Sequence, residues 1–173
     1  VAHPSPWLTT VAASTHGRFL MADTTTGDGI TYRGASQSKG LPLTNLVLST
    51  DVASGSVENA RLCRLGSLNP SKVEGKVVLC DRGTIARVEK SQEVSQAGGV
   101  GMIMVNTPAN LPGGGSTTLN DDAHWVPSVH LQVDHRDALR AYAAQSKAKA
   151  EIGVAALEPG VAAPVMAEFS SRG

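Results

Sequence analysis

The sequence predicts a mixed α/β (α+β) fold, a β core flanked by about two α-helices, and three observations carry that expectation. Short apolar runs recur between Gly- and Pro-rich breaks, residues 76–105 read strand, helix, strand, and residues 134–143 carry one regular helical stripe. The 173 residues suffice for one domain, or one domain with extensions, and for a real core. Apolar residues make up 41% but aromatics only 3%. The aromatics are Trp7, Phe19, Tyr32, Trp125, Tyr142 and Phe169, so the core is built mainly from Val, Leu, Ile and Ala.

Taken in order, Trp7 to Ala13 has the β-branched and aromatic content of a buried strand. Phe19 to Ala22 is a second apolar run, and Gly27-Asp28-Gly29 before Ile30 to Tyr32 reads as a hairpin turn. Leu41 to Leu48 is a strand that Pro42 assigns to an edge or a strand start, because proline cannot donate to a ladder. Residues 51–75 are loop-rich with a short helical turn at Val57 to Arg61. Lys76 to Cys80 is an apolar strand. Ile85 to Ala97 is a helix with a broken stripe (Ile85, Val88, Val94, Ala97) ended by Gly98-Gly99, and Met102 to Val105 is a second apolar strand. About 30 residues from strand to strand fit a βαβ crossover with parallel strands. Val126 to Val133 returns to strand. Asp134 then caps a helix whose Leu139, Tyr142 and Ala143 share one face. Strands at Ala150 to Ala155 and Val165 to Phe169, with Pro159-Gly160 between them, complete the pattern.

Charge excludes whole classes of function. Fifteen Lys and Arg balance fifteen Asp and Glu, so no broad field of one sign attracts nucleic acid or an anionic membrane, and neither is an expected partner. No apolar stretch reaches the roughly 18–20 residues that span a bilayer. Between Arg61 and Lys90, seven basic residues (Arg61, Arg64, Lys72, Lys76, Arg82, Arg87, Lys90) face three acidic ones (Glu74, Asp81, Glu89). Without interleaved aromatics this reads as a solvated face.

The residues that carry chemistry are few. Cys63 and Cys80 form either one disulfide, stabilising by roughly 3 kcal/mol through loop entropy, or two separate reduced thiols. Cys63, Cys80, His124, His130 and His135 lack the tight spacing of zinc ligands, so no metal or other cofactor is expected and the three histidines read as surface or interface residues. No Gly-x-Ser-x-Gly elbow is present, and Arg18 after His16-Gly17 departs from a catalytic histidine motif, so no catalytic residue is assigned. Gly98-Gly99-Val100-Gly101 ends a helix and opens a strand, the reverse of a phosphate loop, and reads as a tight α-to-β turn. The start at Val1 and the end at Gly173, just after a strand-like run, read as those of a piece of a longer protein.

Several of these segments together resemble a known family. Cys63 to Gly83 (including Asn69-Pro70 and Gly75-Lys76), Ala86 to Lys90, Gln96 to Thr107, and Val126 to Val129 leading to the helix with Leu139 and Tyr142 resemble the protease-associated (PA) domain inserted in subtilisin-like serine proteases. Pro6 to Thr15 with Arg18, and Ala163 to Gly173, are similar to subtilase flanks. The resemblance implies a compact β-sandwich or barrel-like core, with residues 1–22 and 159–173 belonging to a catalytic domain and 23–158 forming the PA domain. It implies a disulfide between Cys63 and Cys80, and a triad and oxyanion-hole residue lying outside these 173 residues.

The function that the resemblance implies is binding. The domain is expected to be non-catalytic and secreted, partnered by its own subtilisin-like catalytic domain and by a polypeptide substrate, acting as a lid or substrate-positioning module. A homodimerisation module or a structural spacer is the alternative. The expected contact surface is the loop Asn110 to His124, with Gly113, Gly114, Gly115, Asp121, Asp122 and His124, and Trp125 as its anchor.

Overall fold

Val77 and Leu79 point to one side of a short strand and Val78 and Cys80 to the other, and all four are wholly buried. That two-sided burial makes the strand the centre of the fold. In the computed structural model, residues 13–14, 19–158, 166 and 170 are described. The chain divides into two compact units, residues 1–19 with 157–173, and residues 20–156. In the first unit, Ser14 and Met166 form an isolated antiparallel bridge, and Ala13 N donates to Ser170 Oγ at 3.1 Å. The strands expected at Trp7 to Ala13 and Val165 to Phe169, and the His16-Gly17 pair, otherwise lie outside the described residues.

The sheet contains β1 (Leu20–Thr26), β2 (Thr31–Ala35), β3 (Lys39–Leu48), β4 (Val77–Asp81), β5 (Gly101–Val105), β6 (Ser128–Leu131), β7 (Lys149–Val154) and β8 (Ala156–Leu157). Its order is β2-β6-β5-β4-β3-β7-β1-β8, and a further pairing of β1 with β2 closes the first seven strands into a ring. Of the two closures expected, the molecule has the barrel-like one. β3, β4, β5 and β6 run parallel, and the β1–β2, β1–β7, β2–β6 and β3–β7 pairings are antiparallel. The strand–helix–strand unit from residue 76 to 105 is thus the parallel crossover that its length predicts.

Closure between β2 and β6 rests on one pair, Ala35 opposite His130, and on a glycine beside it. A Cβ at Gly34 would run into the carbonyl oxygen of His130 and come within 2.6 Å of Leu131 Cδ2. Pro42 sits where its chemistry predicts. It lies in the first half of β3, which there pairs with β7 alone because β4 pairs only with Leu46 to Leu48, so its position is locally an edge as expected; the register against β7 also shifts between Leu41 and Thr44.

Four α-helices accompany the barrel rather than two: α1 (Val57–Arg61), α2 (Pro70–Val73), α3 (Arg87–Gln96) and α4 (Arg136–Ala143). The turn at Val57–Arg61 was legible. Pro70–Val73 is too short for an apolar stripe and is set by its cap, Asn69 Oδ1 accepting from Ser71 N at 3.1 Å with Pro70 in the first turn. Asp134 does not cap α4. It sits in a 3-10 turn, Val133–His135, and the residue preceding the helix, His135, makes no side-chain cap. Gly98, at φ 81°, ends the α3 segment as a C-cap glycine does.

Two apolar clusters follow from the alternation. One gathers the inward side chains Leu46, Val77, Leu79, Ile103, Val105, Val129 and Leu131 with Leu139 and Ala143 of α4. The other gathers Val78, Cys80, Met102 and Met104 with Ala60, Cys63, Val73 and Val94 from the α1–α3 region. Tyr142 secures the hairpin: its hydroxyl accepts from Gly27 N at 2.9 Å and from Lys149 N at 3.1 Å.

Candidate functional site

The segment after β5 leaves the barrel at Asn106 and returns at Pro127, and it is pinned by polar side chains rather than by an apolar core. Asn106 uses all four of its hydrogen-bonding positions. Its Oδ1 accepts from His130 Nε2 at 2.9 Å and from Arg82 Nη1 at 3.4 Å, and its Nδ2 donates to Thr118 O and Gln132 Oε1, both at 3.2 Å. His130 Nδ1 accepts from Asn120 N at 3.1 Å, which places the ring proton on Nε2. His130 is therefore buried within the domain, not the surface or interface residue expected from the sequence, because the loop folds over it. Burial, then Arg82 and Arg87, push its pKa down to about 3, so it is neutral at ordinary pH.

Farther along, Arg87 at the start of α3 grips Asp122 through Nε–Oδ2 and Nη2–Oδ1, the second at 3.1 Å. That pairing leads the causes holding the Asp122 carboxyl below the usual carboxylate range. Ser91 Oγ meets His124 Nδ1 at 2.9 Å and accepts from Trp125 N at 3.3 Å. Burial lowers the His124 pKa.

These anchors leave an open cleft of about 240 Å³, with Gln37, Ser38 and Lys39 on one wall and Asp122, His124, Trp125, Val126 and Pro127 on the other. Trp125 stands at its rim with 62% of its surface exposed, the largest aromatic surface presented to solvent in the described residues. Gln37 Nε2 donates to the carbonyl of Asp121, tying the two walls together. An indole beside a lysine, a proline and buried hydrogen-bonding groups can hold a side chain and orient a backbone. The described residues contain no group of three His, Cys, Asp or Glu able to hold a metal ion.

Of the contact residues expected from sequence, Asp122, His124 and Trp125 line this cleft. Asp121 does not line it; its carbonyl accepts from Gln37, which does. Gly113, Gly114 and Gly115 do not line it. They fold against Pro108 and Gly83, where a Cβ on Gly113 would lie 2.7 Å from Gly83 C and one on Gly114 would strike the carbonyl of Pro108. His135 lies elsewhere, edge-on to Tyr32 at 5.2 Å. Gln37, Ser38 and Lys39 were missed because they enter from β3 and the residues before it, more than 80 positions away, with no local motif.

Cys63 and Cys80 form a disulfide, Cα to Cα 5.8 Å, joining the end of the α1 region to β4. Beside it the expected solvated basic face is in part buried. Arg61 Nη1 donates to Asp81 Oδ2 at 2.8 Å, and Lys90 Nζ donates to Leu62 O at 2.7 Å with no exposed surface. Burial pushes the Lys90 ammonium down to about 7. Glu93 accepts from Gly66 N at 2.6 Å and Leu68 N at 2.7 Å. Lys90 and Glu93 of α3 are buried because the 62–68 loop supplies their partners, which is why the helix's apolar stripe looked broken.

The PA domain family model matches residues 42–139. Subtilisin-like protease SBT1.6 of Arabidopsis thaliana is 39% identical over 176 residues, an alignment covering 100% of this chain and 22% of that protein. Subtilisin-like protease SBT1.4 of Arabidopsis thaliana is 42% identical over 172 residues, covering 98% and 21%. The chain thus spans 21–22% of the length of these relatives. Among solved structures, the aminopeptidase from Aneurinibacillus sp. strain AM-1 aligns with a TM-score of 0.48 and 21% identity, covering 84% of this chain and 33% of that one.

Proposed function

The chain belongs to the PA domain family, and on that premise we propose that residues 23–158 are a non-catalytic domain of a secreted subtilisin-like serine endopeptidase, flanked by catalytic-domain segments at 1–22 and 159–173. In this reading the cleft at Trp125 holds a polypeptide substrate and fixes its path. Contacts remote from the reacting bond then favour productive geometry. The observation that carries the reading is the pairing of a 62% exposed indole with walls immobilised by Arg87–Asp122 and Ser91–His124. Relatives that are subtilisin-like proteases and match nearly the whole chain support the parent enzyme, and a disulfide supports export to an oxidising compartment.

The test is binding of an unfolded polypeptide, reduced and alkylated casein, to the full chain by calorimetry. Trp125→Ala should weaken binding about tenfold, the cost of losing one well-placed aromatic anchor. Equal affinity of the two proteins overturns the reading.

Homodimerisation is a second reading, favoured by Val154. It is 69% exposed on β7 and stands opposite Lys39, which lines the same cleft. Sedimentation of the intact protease as a dimer that Val154→Asp converts to monomer is the outcome this reading requires.

A further inference from the structure

A second groove, of about 420 Å³, shares no lining residue with the Trp125 cleft. Its floor includes Leu46, Leu48, Ala143 and Ala148, buried side chains of the barrel core and the end of α4. Its lining carries Lys76, Lys147 and Lys149 against a single acidic residue, Asp51. The Lys147 and Lys149 ammonium groups have no hydrogen-bond or ion-pair partner among the described residues, whereas Lys76 Nζ donates to Lys72 O at 2.7 Å and brings a fourth lysine to the rim. The carbonyl of Asp51 is itself taken by Lys72 Nζ at 3.4 Å.

Lysine near a helix C-terminus complements the helix dipole, which accounts for Lys147 after α4. It accounts in part for Lys76, whose Nζ reaches the Lys72 carbonyl in the last turn of α2, but not for Lys149, which begins β7. Strand pairing sets these two on either side of β3, since Val77 pairs with Leu46 and Lys149 with Asn45. Two strand spacings put their backbones roughly 10 Å apart. A balanced chain of net charge zero therefore gathers local positive charge over an apolar floor.

We infer that this groove binds an extended acidic peptide in which glutamates alternate with aliphatic residues. In an extended segment successive side chains face opposite ways, so alternate aliphatic residues can rest on Val47 and Ala144, the apolar lining residues that keep exposed surface. The carboxylates between them recur about every 6.6 Å at the height of the lysines. Lysine arms are long enough to serve that repeat from both walls.

The experiment titrates the full 173-residue chain with fluorescein-labelled Glu-Leu-Glu-Leu-Glu-Leu-Glu, read by anisotropy at low and at physiological salt. The proposal expects saturable binding that weakens with salt and that falls about fivefold or more in Lys147→Gln/Lys149→Gln and in Lys76→Gln. The substituted lysines lie at the surface, and an unchanged melting temperature shows that the fold is kept. A peptide of the same composition with its glutamates contiguous should bind distinctly more weakly. Equal binding of that block peptide, or equal competition by dextran sulfate, would show unspecific attraction of polyanions and overturn the proposal. Undiminished binding by the lysine variants overturns it as well.

Discussion

Arg136, in the first turn of α4, forks the Asp81 carboxylate at the end of β4, with Nη2 2.6 Å from Oδ2 and Nε 3.0 Å from Oδ1. The pair joins residues 55 positions apart, and Arg61 adds a third donor at 2.8 Å. Asp81 is fully buried, so these arginines are what make its charge tolerable there. The pairing ties α4, which fills the barrel core through Leu139, to the strand that carries the disulfide.

Asp81→Asn leaves the Arg61 and Arg136 guanidinium groups without their shared counter-charge and should destabilise by about 3–5 kcal/mol. Arg140, 3.6 Å from the same carboxylate and more exposed, should cost under about 1 kcal/mol as Arg140→Gln. Urea unfolding of the two variants tests this. Equal losses would show that Asp81 is no hub.

The Cys63–Cys80 bridge closes a short loop, with a sequence separation of 17. Cys63→Ser/Cys80→Ser should lose about 3 kcal/mol. Adding a reductant should shift the unfolding midpoint of the parent chain and leave that of the double variant unmoved.

His130 and Lys90 give the fold a pH dependence of known sign. Both have pKa values lower in the folded chain than when unfolded, about 3 for His130 and about 7 for Lys90, so the unfolded chain binds more protons in between. The His130 contribution is complete above about pH 6.5 and is lost as pH falls from there toward 3, at up to about 1.4 kcal/mol per pH unit. The Lys90 contribution is complete above about pH 10.5 and is lost between there and about 7. Unfolding free energies from pH 7 to 5 should fall more steeply in the parent than in His130→Gln, and from pH 7 to 9 should rise more steeply than in Lys90→Met. Parallel pH profiles for a variant and its parent would refute the assignment.

Gly34→Ala should open the barrel where β2 meets β6. The added carbon would strike the His130 carbonyl, and backbone must move, a cost of about 1–3 kcal/mol or more. Hydrogen exchange should quicken in β2 and β6 ahead of β4 and β5.

Legibility in the sequence tracked the range of each signal. The β4–α3–β5 unit, the Gly27–Gly29 turn and the stripe of Leu139, Tyr142 and Ala143 are local patterns, and each stands in the structure. Barrel closure was open between two architectures because it depends on Ala35 meeting His130, residues with no pattern in common. Lys90 read as part of a solvated face because its partner is a backbone carbonyl of the 62–68 loop, which sequence does not display. His130 read as a surface or interface histidine because its cover, Asn106 and Asn120, comes from a loop folded over it. Of the residues lining the cleft, Asp122, His124 and Trp125 are close in sequence and were among the expected contact residues, whereas the Gln37–Lys39 wall was not.

The most direct test of the proposed role is the kinetics of the proposed parent protease, comparing the unsubstituted enzyme with Trp125→Ala on a long unfolded polypeptide and on a short chromogenic peptide. If the cleft positions substrate, kcat/KM for the polypeptide falls about tenfold while that for the short peptide, which cannot reach the cleft, stays the same. Unchanged kinetics on both substrates, or an equal loss on both, would contradict a positioning role for the Trp125 cleft.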